Sequence, residues 1–119
     1  MREIPSEMIS KTVERLFLEA NYILPPDMTS LLRAGEEKEQ NPAARSVLAS
    51  ILENAALAAG GRYPLCQDCG TAVIFIDAGQ EAAITGEGLE DAANEGVRRA
   101  YEKGYLRKSI VGEPLFERK

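Results

Sequence analysis

The 119 residues are 45% hydrophobic and 28% charged, enough for one domain with a modest core and too apolar for a wholly disordered chain. Fourteen basic against nineteen acidic side chains leave a net charge of −5, and with no basic stripe this argues against a nucleic-acid or anionic-membrane surface. There is no histidine, which removes both a His general base and a His metal ligand.

In chain order, Ile9, Val13, Leu16, Phe17 and Ala20 share one helical face and predict a helix over 7–22, with Ser6 as N-cap. Pro25-Pro26 ends it, because proline disfavours helix in the residue before it. A second helix is expected over 27–40, apolar early at Met28, Leu31 and Leu32 and charged late. Asn41-Pro42 reads as a cap followed by a first-turn proline. The third helix then carries Val47, Leu48, Ile51, Leu52 and Ala55 until Gly60-Gly61 stops it.

The period changes after that. Residues 71–76 are β-branched and apolar and predict a buried strand, 77–80 a turn, and 82–85 a short strand pairing back on the first. A fourth helix is expected over 89–103, with Leu89, Ala92, Ala93, Val97, Ala100 and Tyr101 inward and Gly104 as its stop. The tail over 105–119, with Gly112 and Pro114, is expected to be irregular. The predicted class is α+β, mainly helical with one small β-sheet or hairpin.

The chemistry-bearing stretch is Tyr63-Pro64-Leu65-Cys66-Gln67-Asp68-Cys69-Gly70-Thr71-Ala72, expected at the N-terminal end of the strand. Apolar runs are too short to span a bilayer, and Met1-Arg2-Glu3-Ile4-Pro5 lacks the apolar stretch of a secretory signal, so a cytoplasmic location is the default expectation. In that compartment two cysteines point to metal or redox chemistry before a structural disulfide. Residue types alone leave three readings of Cys66-x-x-Cys69. A redox pair wants a helix N-terminus to lower the thiol pKa, and here a strand is expected to follow. A zinc site wants four ligands, so other chains would have to supply the rest. The third reading is two half-buried thiols beside a core strand.

The run Pro64-Leu65-Cys66-Gln67-Asp68-x-Gly70-Thr71-Ala72 resembles the Cys-Gln-Asp-Thr-Gly-Thr-Ala signature of the class I, iron–sulfur fumarate hydratase and L(+)-tartrate dehydratase family. The leading helices and Leu106-Arg107-x-Ser109 fit as well, so the likeness covers nearly the whole chain. The resemblance implies that Cys66 is one of three cysteines holding a [4Fe-4S] cluster whose fourth iron is open to substrate. It implies that Gln67 and Asp68 face the substrate, that Asp68 is catalytic, and that Arg107 grips a substrate carboxylate. One position departs from the signature: Cys69 stands where the family has threonine, with Cys66 preferred as the ligand because it directly precedes Gln-Asp.

The family's chemistry adds water to fumarate, or removes it from malate or tartrate. Two more cluster cysteines and the base that takes the C–H proton are not in these residues. The expectation is therefore the N-terminal portion of a longer α chain spanning 1–119, with a β subunit or C-terminal domain as partner, a dicarboxylate as substrate and a homo-oligomer as the complete enzyme. By itself the chain is expected to be inactive and to hold iron poorly. Gly70-Thr71-Ala72 leans towards fumarase over tartrate dehydratase. The competing class is a non-catalytic helical interaction module. Without the signature, Asp68 reads as a turn residue and Arg107 as a solvated member of a charged tail beside Lys103 and Lys108.

Overall fold

Helix boundaries fall where the punctuating residues put them. The computed structural model describes residues 1–116, so residues 117–119 of the expected irregular tail lie outside the described residues. The elements are β1 (Arg2–Pro5), α1 (Ser6–Tyr22), α2 (Pro26–Lys38), α3 (Pro42–Ala59), β2 (Ala82–Thr85) and α4 (Leu89–Lys103). This is the expected α+β class, mainly helical with one small sheet. The chain forms two compact units, residues 19–66 and residues 1–18 with 67–119. No helix of the described residues is long and apolar enough to cross a membrane.

In the unit of residues 19–66, α2 starts with Pro26 in its first turn, where a missing N–H costs nothing. Asn41 caps α3 as expected: its side-chain oxygen accepts the N–H of Ala43 at 2.9 Å, ahead of Pro42. Gly60 closes α3 through its N–H to Ala56, and Gly61 takes φ 77°, a left-handed conformation that suits glycine. Ala55 and Ala58 are buried.

In the other unit, α1 and α4 approach so closely that position 96 has no room for a side chain. A Cβ on Gly96 would lie 2.6 Å from both the Ser10 carbonyl oxygen and Val13 Cβ. The buried Ser10 hydroxyl crosses this contact and donates to the Ala92 carbonyl at 2.8 Å. Val13, Ala92, Ala100 and Leu106 are buried around it. The buried stripe of α1 therefore centres on Ser10 and Val13, and Leu16, expected inward, is 50% exposed. Ser6 also departs from expectation. It is the first residue of α1, and its hydroxyl accepts the N–H of Glu87. Gly96→Ala is expected to destabilise the chain, although alanine is a better helix former by about 1 kcal/mol. The Ser10 carbonyl is backbone and cannot yield, so overpacking of about 1–3 kcal/mol or more should prevail. Thermal denaturation tests this, and a higher midpoint in the variant would refute it.

Ion pairs lace the same two helices. Arg99 bonds Glu7 at 2.9 and 3.0 Å and Glu95 at 2.7 Å, and Lys103 meets Glu14 at 2.6 Å. Hydrogen bonds from Arg98 and then Arg99 hold the Glu95 carboxyl down at about 2, from an ordinary 4.5. Glu7 is lowered too, chiefly by its bond from Arg99. A depressed carboxylate stabilises the fold above its unfolded pKa and loses that contribution as pH falls through the folded value. The melting temperature should accordingly fall between pH 4.5 and about 2, and Glu95→Gln should flatten that slope. Glu7 and Arg98 are exposed and Glu95 and Arg99 half-buried, so added salt should weaken the effect. Melting curves that run parallel in wild type and variant would rule the pairs out.

The sheet differs from expectation. β2 does form at Ala82–Thr85, but it pairs in parallel with β1, in the register Arg2↔Ala82 to Pro5↔Thr85. It does not fold back on 71–76. Residues 71–76 are not a strand among the described residues; Val73 is 66% and Phe75 92% exposed. The cysteine loop accordingly does not sit at the end of a buried strand. A β-branched run becomes a strand only when a neighbour takes its N–H and C=O groups, and here β1 takes the place expected for it. Arg2-Glu3-Ile4-Pro5 is unlike a strand locally, yet Pro5 is tolerated at its end because an edge position needs no N–H there.

Candidate functional site

The loop after Cys66 is held by hydrogen bonds from the end of α4 and the segment beyond it. α4 stops at Gly104, whose N–H bonds Ala100, and Tyr105 follows with φ 53°, in the left-handed region unusual for a non-glycine residue. This reversal buries Leu106 and leads residues 107–110 back to the loop. Leu106 N–H donates to the Tyr101 carbonyl at 3.2 Å, and Ser109 N–H to the Arg107 carbonyl at 3.0 Å.

Hydrogen bonds join the two segments. The Tyr101 hydroxyl donates to the Gly70 carbonyl at 3.2 Å. The Arg107 backbone N–H donates to Cys69 Sγ at 3.2 Å. The Ser109 hydroxyl donates to Asp68 Oδ1 at 3.0 Å, and the same oxygen accepts the Gly70 N–H at 3.1 Å. Gly70 has φ 64°, which is why glycine follows Asp68-Cys69. The Tyr101 ring is tilted against Phe17 at 6.4 Å. Burial first, and then electrostatic repulsion from the Cys69 and Asp68 side chains, push the Tyr101 pKa up from its ordinary value.

Asp68 is thus a turn residue and a fixed carboxylate at once. The Arg107 backbone returns to the cysteine loop at Cys69. Its side chain is exposed, as is that of Gln67. A cleft of about 300 Å³ beside Gly70 is lined by Thr71, Ala72, Tyr101, Lys108, Ser109 and Ile110.

Cys66 ends the unit of residues 19–66 and is exposed. The residue before it is pinned at both polar groups: Leu65 N–H donates to the Asn21 carbonyl at 2.8 Å, and its carbonyl accepts the Asn54 side chain at 2.9 Å. Neither cysteine forms a disulfide. No three His, Cys, Asp or Glu side chains of the described residues gather as a metal site. An exposed thiol on a pinned backbone suits a single thiolate ligand to an iron–sulfur cluster, and the donor set fits one ligand from this chain rather than three. Sequence reasoning missed Ser109 and Tyr101 as partners of the loop, and Asn54 as the partner of Leu65. Ser109 carried a signal, since it lies in the Leu106-Arg107-x-Ser109 segment; Tyr101 was legible only as an inward helix residue.

Comparison with known proteins agrees with the loop's sequence. A family model described as fumarate hydratase (fumerase) matches residues 10–119. The chain is 33% identical over 104 residues to a Methanocaldococcus jannaschii protein provisionally named L(+)-tartrate dehydratase subunit alpha, a match covering 87% of this chain and 36% of that protein. It is 31% identical over 111 residues to the anaerobic class I fumarate hydratase of Escherichia coli, covering 90% and 20%. It is 32% identical over 108 residues to fumarate hydratase 2 of Leishmania major, covering 90% and 19%. The chain therefore spans about a third or less of the length of these relatives. With a family match over nearly all of its residues, the chain belongs to the class I fumarate hydratase and tartrate dehydratase family of hydro-lyases.

Proposed function

We propose that this chain supplies part of the active site of a [4Fe-4S]-dependent hydro-lyase that reversibly hydrates fumarate to malate. The observation that carries the reading is the Asp68 carboxylate, fixed by Gly70 and Ser109 beside the returning backbone of Arg107. Hydration adds a hydroxyl to one carbon of the double bond and a proton to the other. Asp68, held within reach of the hydroxyl, gives up or takes that group's proton. The Arg107 guanidinium binds a substrate carboxylate through two parallel hydrogen bonds, and the Gln67 amide orients the substrate. Cys66 would hold one iron of the cluster, and the cluster when bound would supply Lewis acidity towards the substrate hydroxyl through an iron that carries no protein ligand. The remaining thiolates come from further α-chain sequence, and the base for the C–H proton from a β subunit or C-terminal domain. The assembled enzyme is a cytoplasmic homo-oligomer in this reading. The name of the archaeal relative favours tartrate dehydratase as the second reading.

The test is anaerobic cluster reconstitution of the α chain with its β partner, assayed on fumarate, malate and L(+)-tartrate. Activity on fumarate and malate is expected, with Cys66→Ser losing iron and sulfide. The 119-residue chain alone should retain little iron. Turnover of L(+)-tartrate alone would select the second reading; a full cluster in Cys66→Ser would remove Cys66 as a ligand.

A further inference from the structure

Asp68 and Arg107 lie on two segments, and each is bonded to a residue of the opposite segment that has no part in the proposed chemistry. Ser109 donates to Asp68, and Cys69 accepts from the Arg107 backbone. The bonds run in opposite order along the two segments, 68 to 109 and 69 to 107, so sliding one segment along the other would lengthen both. Ser109 and Arg107 are themselves joined by the 3.0 Å bond from the Ser109 N–H to the Arg107 carbonyl, and Tyr101 anchors the far end of the loop at Gly70.

The chemistry of each donor and acceptor suits a holding role. An ionised carboxylate only accepts, so it needs a donor to set its plane, and Ser109 and Gly70 converge on one oxygen. Thiol sulfur is a weak acceptor, and a backbone N–H aimed at Cys69 Sγ uses that capacity. Its engagement there gives Cys69 a function that does not require iron.

We propose that Ser109 and Cys69 are a pair of positioning residues, Ser109 aiming the Asp68 carboxylate and Cys69 fixing the backbone that carries the Arg107 guanidinium. The proposal rests on the reading in which Asp68 moves the proton and Arg107 binds the substrate carboxylate. It assigns different kinetic consequences to two residues on facing segments, which a general loosening of the loop would not produce.

The experiment measures kcat, KM and iron content of the reconstituted enzyme for Ser109→Ala, Ser109→Thr, Cys69→Ala and Cys69→Thr. Asp68→Asn and Arg107→Met are run beside them. Ser109→Ala should lower kcat about tenfold with KM nearly unchanged, the scale of one lost hydrogen bond to a charged group. Ser109→Thr, which keeps the hydroxyl, should restore it. In an Asp68→Asn background, Ser109→Ala should cost little more, because residues acting through one another are not additive. Cys69→Ala should raise KM several-fold with iron content intact, and Cys69→Thr, which keeps an acceptor of similar size, should recover it. The proposal is overturned if Ser109→Ala costs as much with Asn at position 68, or if Cys69→Ala loses iron instead of affinity. It is also overturned if both alanine variants behave as wild type while Asp68→Asn and Arg107→Met are impaired. Wild-type kinetics in Asp68→Asn and Arg107→Met would instead remove the functional reading underneath it, and the proposal with it.

Discussion

Asp68→Asn in the reconstituted enzyme is expected to lower turnover by roughly 10²–10⁴-fold, the usual loss when a positioned acid or base is removed. The substitution is a clean one in this structure. Asparagine keeps an oxygen where Asp68 Oδ1 accepts from Gly70 and Ser109, so both bonds survive. Gly70 keeps its left-handed backbone, and the Arg107 to Cys69 bond is untouched. What is lost is the negative charge and, with it, the capacity to take up and release a proton. Iron and sulfide content should therefore match wild type, and KM should change little. Steady-state kinetics under anaerobic conditions, paired with cluster analysis, makes the measurement. Normal turnover would leave Asp68 as a turn residue that shapes the loop and nothing more.

Arg107→Met is expected to weaken dicarboxylate binding by about 2–5 kcal/mol, the scale of truncating one side of a hydrogen-bonded charge pair. Its backbone N–H still reaches Cys69 in the variant, so the segment stays in place and the loss reports on the side chain. Lysine at position 107 should recover only part of the affinity, since a point charge cannot reproduce a two-pronged contact. Lys108→Met is the necessary companion, because Lys108 lines the cleft beside Tyr101 and Ser109. The planar fork favours Arg107 as the binding group, and Lys108→Met is expected to do little. Unchanged kinetics in Arg107→Met together with a raised KM in Lys108→Met would transfer the role to the neighbouring cation.

Residues that act locally were legible in the sequence. Asn41 caps α3 because its side chain reaches an N–H two residues on, a distance that any sequence window contains. Gly60-Gly61 and Gly104 end helices for equally local reasons. The Cys66-Gln67-Asp68 run was readable as a signature. What escaped was any feature whose partner lies far along the chain. Ser6 looks like an N-cap until the N–H of Glu87 claims its hydroxyl. Leu16 looks inward until the close approach at Gly96 turns the buried stripe towards Ser10 and Val13.

The amino-acid sequence by itself determined the four helices, the α+β class and the family, since helical periodicity, capping and a contiguous motif all operate within a few residues. Only the tertiary structure decided that β2 pairs with Arg2–Pro5 rather than with 71–76. The same holds for the clasp of Asp68 and Cys69 by Ser109 and Arg107, 41 and 38 residues away in the chain. The reason is physical. A strand's partner and a side chain's distant acceptor are chosen by which groups the packed helices bring together, and Val73 and Phe75 show that β propensity without such a partner makes no strand.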